Sequence, residues 1–166
     1  YEVTTFRGPK HTLEDDLQHR DFAINAMAYD IEMSLVIDPW GGRRDIEKKV
    51  VRGVVNPEDR FREDPLRLIR AVRFAAELGF RIHGKTLKAI SSMAEAITTA
   101  APERIRDELI RILVCEKPSQ GLHLLGKTGL LGCILPELVK AGSVNGSVAD
   151  RVAPDAVVRL SALFCT

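Results

Sequence analysis

FREDPLRLIRAVRFAAELGF, residues 61–80, has the pattern of an amphipathic helix that carries arginines on its polar side. Arg67, Arg70 and Arg73 follow one another at intervals of three residues, so they share one side of a helix of about 3.6 residues per turn. The opposite side is apolar and is predicted to face the core; it consists of Leu68, Ile69, Val72, Ala75 and Ala76. Because a surface helix rarely needs so many guanidinium groups within two turns, the pattern favours a planar or anionic ligand.

Asp64 and Pro65 stand at the predicted start of this helix, with Asp64 as the N-cap and Pro65 as the first helical residue. Capping alone would explain the pair. Asp64 and Arg67 are also one turn apart, so a carboxylate acceptor and a guanidinium donor can lie side by side. Such a pair matches the polar edge of a nucleobase, and a good bidentate contact discriminates between bases by about 1–3 kcal/mol. Because a cap uses one carboxylate oxygen, Asp64 can serve both purposes.

Strand-like and helical segments alternate before residue 60, whereas only helical patterns follow it. Strands are predicted at Tyr1–Arg7, Leu35–Ile37 and Val50–Val55, a helix or strand at Asp21–Asp30, a turn at Asn56–Asp59 and a mobile linker at Ala141–Asp150. Helices are predicted after the N-cap Thr12 with Asp15 in the capping-box position, from Pro102, and at Asp45–Lys49, Leu122–Leu131, Ile134–Val139 and Ala156–Phe164. The patterns predict an α+β chain divided into residues 1–60, 61–138 and 139–166.

The composition is that of an ordinary globular protein, with 45% apolar and 28% charged residues among 166. A formal net charge of +1 excludes a strongly basic protein but leaves room for a local row of arginines. The cysteines, Cys115, Cys133 and Cys165, have no metal-binding or CxxC spacing and are interpreted as buried thiols of a reducing compartment. We find no membrane-spanning run or signal peptide and predict a cytoplasmic protein. Because the sequence begins at Tyr1 without Met, we interpret it as an internal piece of a longer protein.

Two further segments combine charged residues with a compact backbone pattern. In RDFAIN, residues 20–25, Asp21 is either a helix cap beside a hydrogen-bonded core Asn25 or a ligand for a sugar hydroxyl, with Arg20 as a phosphate ligand. In DPWGGRRD, residues 38–45, the glycines permit either an ordinary turn or a hinge. Spacing alone leaves both alternatives open.

Glu2 is the first candidate for a metal-binding carboxylate, although it equally suits an exposed edge strand. Two-metal phosphoryl transfer needs two or three converging carboxylates. The sequence contains neither a DxD nor a glycine-rich P-loop. If the protein transfers nucleotides, we expect the other carboxylates to lie upstream of Tyr1, and the chain as given to be inactive by itself.

Four segments in order resemble the class II tRNA nucleotidyltransferases, or CCA-adding enzymes, and the related bacterial poly(A) polymerases. They are RDFAINAMAYD (20–30), DPWGGRRDI (38–46), REDPLRLIRAVRFAAELGF (62–80) and ERIRDELIRIL (103–113). The resemblance implies the C-terminal part of a polymerase-β-type head sheet in residues 1–60. An all-α neck and body would follow in 61–138, and a linker with a further helical region in 139–166. The family's loops after Arg7 and within Ala141–Arg151 are usually longer.

The resemblance also implies a role for each motif residue. The implied nucleotide-binding residues are Arg20, Asp21, Asn25, Glu63, Asp64, Arg67 and Arg70. Among these, Asp64 and Arg67 would pair with the base of CTP or ATP, and Glu63 would steady Arg67. The implied supporting residues are Asp38, Gly41, Gly42, Glu103, Arg104 and Glu108, and Glu2 would be a third metal-site carboxylate.

The implied reaction is the addition of CCA, or part of it, to the 3′ end of tRNA from CTP and ATP with Mg²⁺. A poly(A) polymerase is the neighbouring alternative. A non-catalytic helical RNA-binding module is the alternative from another class.

Overall fold

The computed structural model of the protein describes residues 12–140, 142 and 146–164. The predicted strand Tyr1–Arg7, with Glu2, and the thiol of Cys165 lie outside this part of the chain. The described residues form mainly helices with two small sheets, which confirms the α+β class.

The first part of the described chain consists of short elements around a hairpin. Helix α1, Leu13–Gln18, is followed by a 3₁₀ turn at Ala23–Asn25, strands β1, Ala28–Asp30, and β2, Leu35–Ile37, and helix α2, Gly42–Glu47. Strands β1 and β2 are antiparallel. The predicted cap of α1 is confirmed, because Thr12 Oγ1 accepts a hydrogen bond from the Asp15 amide at 3.2 Å. The single element predicted at Asp21–Asp30 is wrong, since a 3₁₀ turn and a strand divide the segment.

The middle of the chain contains strand β3, Val50–Val51, helices α3, Pro57–Glu63, and α4, Arg67–Leu78, and strand β4, Arg81–Ile82. The turn predicted at Asn56–Asp59 is wrong. Asn56 and Pro57 begin α3 instead, with Asn56 Oδ1 accepting from the amide of Glu58. The strand predicted at Val50–Val55 is also too long.

Strands β3 and β4 pair in parallel, with Val50 opposite Arg81 and Val51 opposite Ile82. A two-residue strand is too short to show alternation, which explains why the sequence patterns after residue 60 contained no strand. The pair connects segments on either side of residue 60. The boundary near that residue stays a prediction.

The remaining elements are helical. They are α5, Gly84–Ser92, a 3₁₀ helix at Ala94–Thr99, α6, Pro102–Val114, α7, Pro118–Thr128, α8, Leu130–Ile134, α9, Pro136–Lys140, a 3₁₀ helix at Gly146–Arg151, and α10, Ala156–Phe164. The helix predicted from Pro102 and the bounds predicted for Ala156–Phe164 are confirmed. The helix predicted at Leu122–Leu131 begins earlier and is interrupted at Gly129.

Part of the predicted linker Ala141–Asp150 is ordered structure. Residues Gly146–Arg151 form a 3₁₀ helix beside α7, and Asp150 Oδ1 accepts from the amide of Ser119 at 3.0 Å. The prediction of a mobile linker is therefore wrong for residues 146–150.

Helix α4 lies at the centre of the core. The apolar side predicted for it is confirmed, because all five of its residues are buried: Leu68, Ile69, Val72, Ala75 and Ala76. The core cluster around α4 includes Phe22 from the first part of the chain and Ile112 of α6. Fully burying a side chain such as Leu68 or Ile69 contributes about 1.5–3 kcal/mol, so packing of its apolar side determines where the arginine side of α4 points.

The described residues test the prediction of buried thiols and the prediction that no segment spans a membrane. Cys115 and Cys133 are unpaired and only half-buried, so the prediction of buried thiols is wrong for both. Burial nevertheless raises the pKa of the Cys115 thiol. In the part of the chain that the structure describes, every helix is too short or too polar to cross a membrane.

Candidate functional site

A polar cavity of about 260 Å³ opens where α4, α6 and the segment after α1 meet. Its lining residues are all polar and consist of Arg20, Asp21, Asn25, Asp64, Arg67, Arg70 and Arg104. All the nucleotide-binding residues predicted from the sequence, except Glu63, therefore lie around one cavity. Four guanidinium groups against two carboxylates make the lining basic, which suits an anionic ligand with a polar ring.

Arg70 connects the cavity wall to the helices behind it. Its Nε donates to Asp21 Oδ2 at 2.7 Å, and its Nη1 donates to Glu108 Oε1 at 3.3 Å. Burial lowers the pKa of Arg70, but the carboxylates of Asp21 and Glu108 raise it by more, so the pKa lies above its usual value. Arg70 is a permanent positive charge at a fixed place.

Arg70 and Arg73 form a network of ion pairs with Glu108 and Glu77 behind the cavity. Arg73 is buried in this network, with only 2% of its surface exposed. Its Nε donates to Glu108 Oε2 and its Nη1 to Glu77 Oε2, each at 2.5 Å. The guanidinium carbon lies 3.9 Å from the centre of the Phe74 ring. The expectation that three arginines of the row face a ligand is therefore wrong for Arg73, because α6 covers it and supplies its carboxylate partner.

Arg67 is held by three oxygens. Its Nη1 donates to Glu63 Oε2 at 3.1 Å and to the Arg60 carbonyl at 3.2 Å, and its Nη2 donates to the His19 carbonyl at 2.9 Å. The contact between Glu63 and Arg67 that the resemblance implied is thus present. A guanidinium has five N–H groups, so two of them remain for a ligand in the cavity.

Asp64 lies between the end of α3 and the start of α4. Its Oδ1 accepts from the Leu66 amide at 3.1 Å. The prediction of Asp64 as the N-cap and Pro65 as the first residue of α4 is wrong, because α4 begins at Arg67 and its N-cap is Leu66. Asp64 is instead the C-cap of α3. The second carboxylate oxygen, predicted to be free, accepts from Arg104 Nη2 at 3.1 Å. Because the Arg104 side chain is 56% exposed, a ligand can displace this ion pair at little cost in free energy.

Asp21 joins two sides of the cavity. Besides its contact with Arg70, its Oδ1 accepts from Asn25 Nδ2 at 2.6 Å and from the Phe22 amide at 3.1 Å. Asn25 is hydrogen-bonded as predicted, but it is half-buried and lines the cavity, so its placement in the core is wrong. The predicted cap Asp21 is also wrong, because Phe22 is the N-cap of the 3₁₀ turn. Arg20 donates twice to Asp16 Oδ2 while its side chain remains 38% exposed at the cavity.

DPWGGRRD forms a turn at residues 38–41 and the start of α2 at residues 42–45. Asp38 accepts from the amides of Gly42 at 2.6 Å and Arg43 at 3.0 Å, and Gly41 has a φ of 71°. A Cβ on Gly42 would lie 2.2 Å from the Ala23 carbonyl oxygen, so only glycine permits this approach. The turn interpretation holds for residues 38–41, residues 42–45 are helical, and the hinge stays a prediction. The segment lies against the 3₁₀ turn that carries Asn25.

Three of the predicted supporting residues lie on α6, and their contacts differ. Arg104 contacts Asp64, and Glu108 contacts Arg70 and Arg73. Glu103 is exposed in the first turn of α6.

The sequence reasoning did not identify Arg60, which is 9% exposed and contacts Glu63. Its three-residue spacing from Glu63 was a usable signal. The wrong turn prediction for Asn56–Asp59 concealed it.

Two family models match parts of this chain. Residues 1–52 match the family model described as the poly A polymerase head domain, and residues 79–141 match the model described as a probable RNA and SrmB-binding site of polymerase A. The chain belongs to the tRNA nucleotidyltransferase and poly(A) polymerase family. The α+β class expected from that resemblance is confirmed by likeness to solved structures of the family.

Among the relatives in this family is the CC-adding tRNA nucleotidyltransferase of Halalkalibacterium halodurans. It is 46% identical over 129 residues, which are 78% of this chain and 33% of the relative. A crystal structure of the Bacillus stearothermophilus CCA-adding enzyme in complex with CTP is 43% identical with a TM-score of 0.69, covering 72% of this chain and 30% of that one.

The Thermotoga maritima CCA-adding enzyme, solved in complex with tRNA, is 31% identical with a TM-score of 0.69 over 75% of this chain and 31% of that one. The chain therefore spans about a third of the length of the curated relatives it matches.

Proposed function

We propose that this protein is a tRNA nucleotidyltransferase that adds CCA, or part of it, to the 3′ end of tRNA from CTP and ATP. The observation that carries the proposal is that Asp64 and Arg67 line the same basic, polar cavity. Relatives named for CCA or CC addition, and solved relatives that bind CTP and tRNA, support it.

The base edges explain why an Asp and an Arg would choose between nucleotides. Cytosine presents its N4 amino donor beside acceptors, and adenine presents its N6 amino donor beside an acceptor. Guanine and uracil present a carbonyl acceptor at the equivalent place. The Asp64 carboxylate would accept from the amino group, and the remaining N–H groups of Arg67 would donate to the neighbouring acceptor. Guanine and uracil would instead place a carbonyl oxygen against the carboxylate.

The other cavity residues would hold the sugar and phosphates. Arg20 and Arg70 would bind phosphate oxygens, since both are charged and reach the cavity. Asp21 has a remaining lone pair on Oδ2 for a ribose hydroxyl, beyond the contacts it makes to the protein.

Mg²⁺ is the expected cofactor, and it would stabilise the attacking and leaving oxygens when bound. The residues that the structure describes contain no group of three acidic, His or Cys side chains that could hold a metal. As the resemblance implies, we propose Glu2 as one carboxylate ligand of the metal. We propose the cytoplasm as the location, which is consistent with the unpaired thiols of Cys115 and Cys133.

The deciding experiment supplies the intact protein with tRNA that lacks its 3′ CCA, Mg²⁺, and each nucleoside triphosphate singly or CTP with ATP. Sequencing of the product distinguishes CCA, CC only and A only, and a long A tail would identify a poly(A) polymerase. Failure to extend any RNA would refute the proposed function and favour a non-catalytic RNA-binding protein.

Replacement of Asp64 or Arg67 by alanine tests the assignment of base recognition. Loss of one good bidentate contact reduces discrimination by about 1–3 kcal/mol, so the preference for CTP and ATP over GTP should fall about fivefold to 150-fold. Asp64→Ala should also lower stability, because it removes the contact to the Leu66 amide. Arg67→Ala is the cleaner test of recognition.

Arg106→Ala is the matched control for these variants. Its side chain is 65% exposed on α6 and pairs only with the neighbouring Asp107 among the described residues. It should select nucleotides like the wild type. Unchanged selection with normal turnover in Arg67→Ala would refute the template assignment.

A further inference from the structure

Each of the three oxygens that hold Arg67 is connected to Arg60. One is the carbonyl oxygen of Arg60 itself, 3.2 Å from Arg67 Nη1. The second belongs to Glu63, whose other oxygen, Oε1, accepts from Arg60 Nη2 at 2.6 Å. The third is the carbonyl of His19, and the adjacent carbonyl of Gln18 accepts from Arg60 Nη1 at 2.9 Å.

Arg60 thus bridges two separate elements behind the cavity. Its side chain extends from α3 to the carbonyl groups at the end of α1, 42 residues earlier in the sequence. These carbonyls carry the negative end of the helix dipole, which favours a cation at that position. The same guanidinium contacts the carboxylate of Glu63, so Arg60 fixes Glu63 relative to α1.

The burial of Arg60 argues against a role in stability alone. Its side chain is 11% exposed, and its Nε has no hydrogen-bond partner among the described residues. An unsatisfied buried donor destabilises the folded state, and an ion pair whose Glu63 side chain is 39% exposed adds little net stability. What the arrangement supplies is a fixed position for Glu63 and for the carbonyl of His19.

We infer that Arg60 is a positioning residue for base selection. It does not line the cavity, and it acts by orienting the acceptors that determine which N–H groups of Arg67 point towards the base. The inference rests on the proposed function, because it concerns the choice between incoming nucleotides. A displacement of about 1 Å in a positioning group costs up to about a hundredfold in rate, so a small shift of Arg67 is enough to lose selectivity.

Arg60→Met tests this inference, because Met preserves much of the apolar stem and removes both contacts. The measurement is kcat and KM for CTP, ATP, GTP and UTP with the intact protein. We expect the preference for CTP and ATP over GTP to fall by about tenfold to a hundredfold. Since unfolded molecules lower all four rates equally, the ratio reports on selection even if the variant is less stable.

Arg62→Met is the matched control, because Arg62 lies on the same helix and also bonds to carboxylates three and four residues away. Its partners are Asp59 and Glu58, and its side chain is 61% exposed. This variant should keep the wild-type ratio. Arg60→Lys preserves the charge but cannot hold Glu63 and Gln18 in the same planar geometry, so it should restore the ratio only in part.

Combining Arg60→Met with Glu63→Gln tests the route of action. If Arg60 acts through Glu63, the losses of selectivity in the double variant should be smaller than the product of the single losses. A uniform fall in kcat/KM for all four nucleotides, with the ratio unchanged, would overturn the inference while leaving the proposed function intact. If the wild-type protein adds no nucleotide, the proposed function fails and this inference fails with it.

Discussion

Glu108→Gln perturbs the network behind the cavity with almost no change in shape. Glu108 is 7% exposed, and its two oxygens accept from Arg70 at 3.3 Å and from Arg73 at 2.5 Å. Gln has one acceptor oxygen, so one of these guanidinium groups would meet an amide NH₂ instead. Both arginines keep another carboxylate, because Arg70 also contacts Asp21 and Arg73 also contacts Glu77.

The expected loss of stability follows from these contacts. Removing one partner of a buried ion pair costs about 3–5 kcal/mol when the other charge is left alone. A hydrogen bond to a charged group contributes about 1.5–3 kcal/mol. Because Arg70 and Arg73 each keep a carboxylate, we expect the loss of stability to be that of one hydrogen bond to a charged group, about 2–3 kcal/mol. For a chain of this size that corresponds to a fall in Tm of about 4–12 °C.

Urea unfolding followed by circular dichroism measures this change, with Glu103→Gln as the control on the same helix. Glu103 is exposed, so its substitution should change the free energy of unfolding by less than about 0.5 kcal/mol. If Glu108→Gln unfolds at the same urea concentration and with the same slope as the control, the reasoning that the network stabilises the fold is refuted.

Three further substitutions test local packing and a buried hydrogen bond by thermal unfolding. Gly42→Ala should destabilise by about 1–3 kcal/mol, because the new Cβ would meet the Ala23 carbonyl, whereas Gly126→Ala should be neutral or stabilise by about 0.5–1 kcal/mol since nothing lies within 4 Å of its Cβ position. Equal Tm values for the two alanine variants would contradict this packing. Arg159→Met should cost about 1–3 kcal/mol, because the buried guanidinium donates to the Leu113 carbonyl at 2.7 Å and that oxygen would lose its partner. A wild-type Tm would show that the carbonyl finds another donor.

Local patterns in the sequence were sufficient for the apolar side of one long helix and for the start of another. The apolar side of α4 and the Pro102 start of α6 follow from periodicity and from residues suited to helix termini, both of which are properties of neighbouring residues. Among the short elements, β2 has the bounds predicted for it, Leu35–Ile37, but the others were predicted poorly. Strand β4, Arg81–Ile82, has two residues and exists because Val50–Val51 pairs with it.

For the candidate site, too, some features were predicted from the sequence and others were shown only by the structure. The residues around the cavity were identified by motif, and the structure brings Asp21, Asp64 and Arg67 together as that identification requires. The motif did not show that the second oxygen of Asp64 contacts Arg104, nor that Arg60 is buried behind Glu63. Those contacts depend on α1 and α6, which are distant in sequence from the motif.

Residues 61–80 show most clearly what each level of structure determines. The three-residue spacing of Arg67, Arg70 and Arg73 by itself determined that they share one side of a helix. The tertiary structure alone decided that Arg73 is buried, because Glu108, 35 residues later, lies against it and neutralises its charge. Spacing along a chain specifies direction around a helix axis, but burial of a charge depends on whether a distant element supplies a carboxylate there.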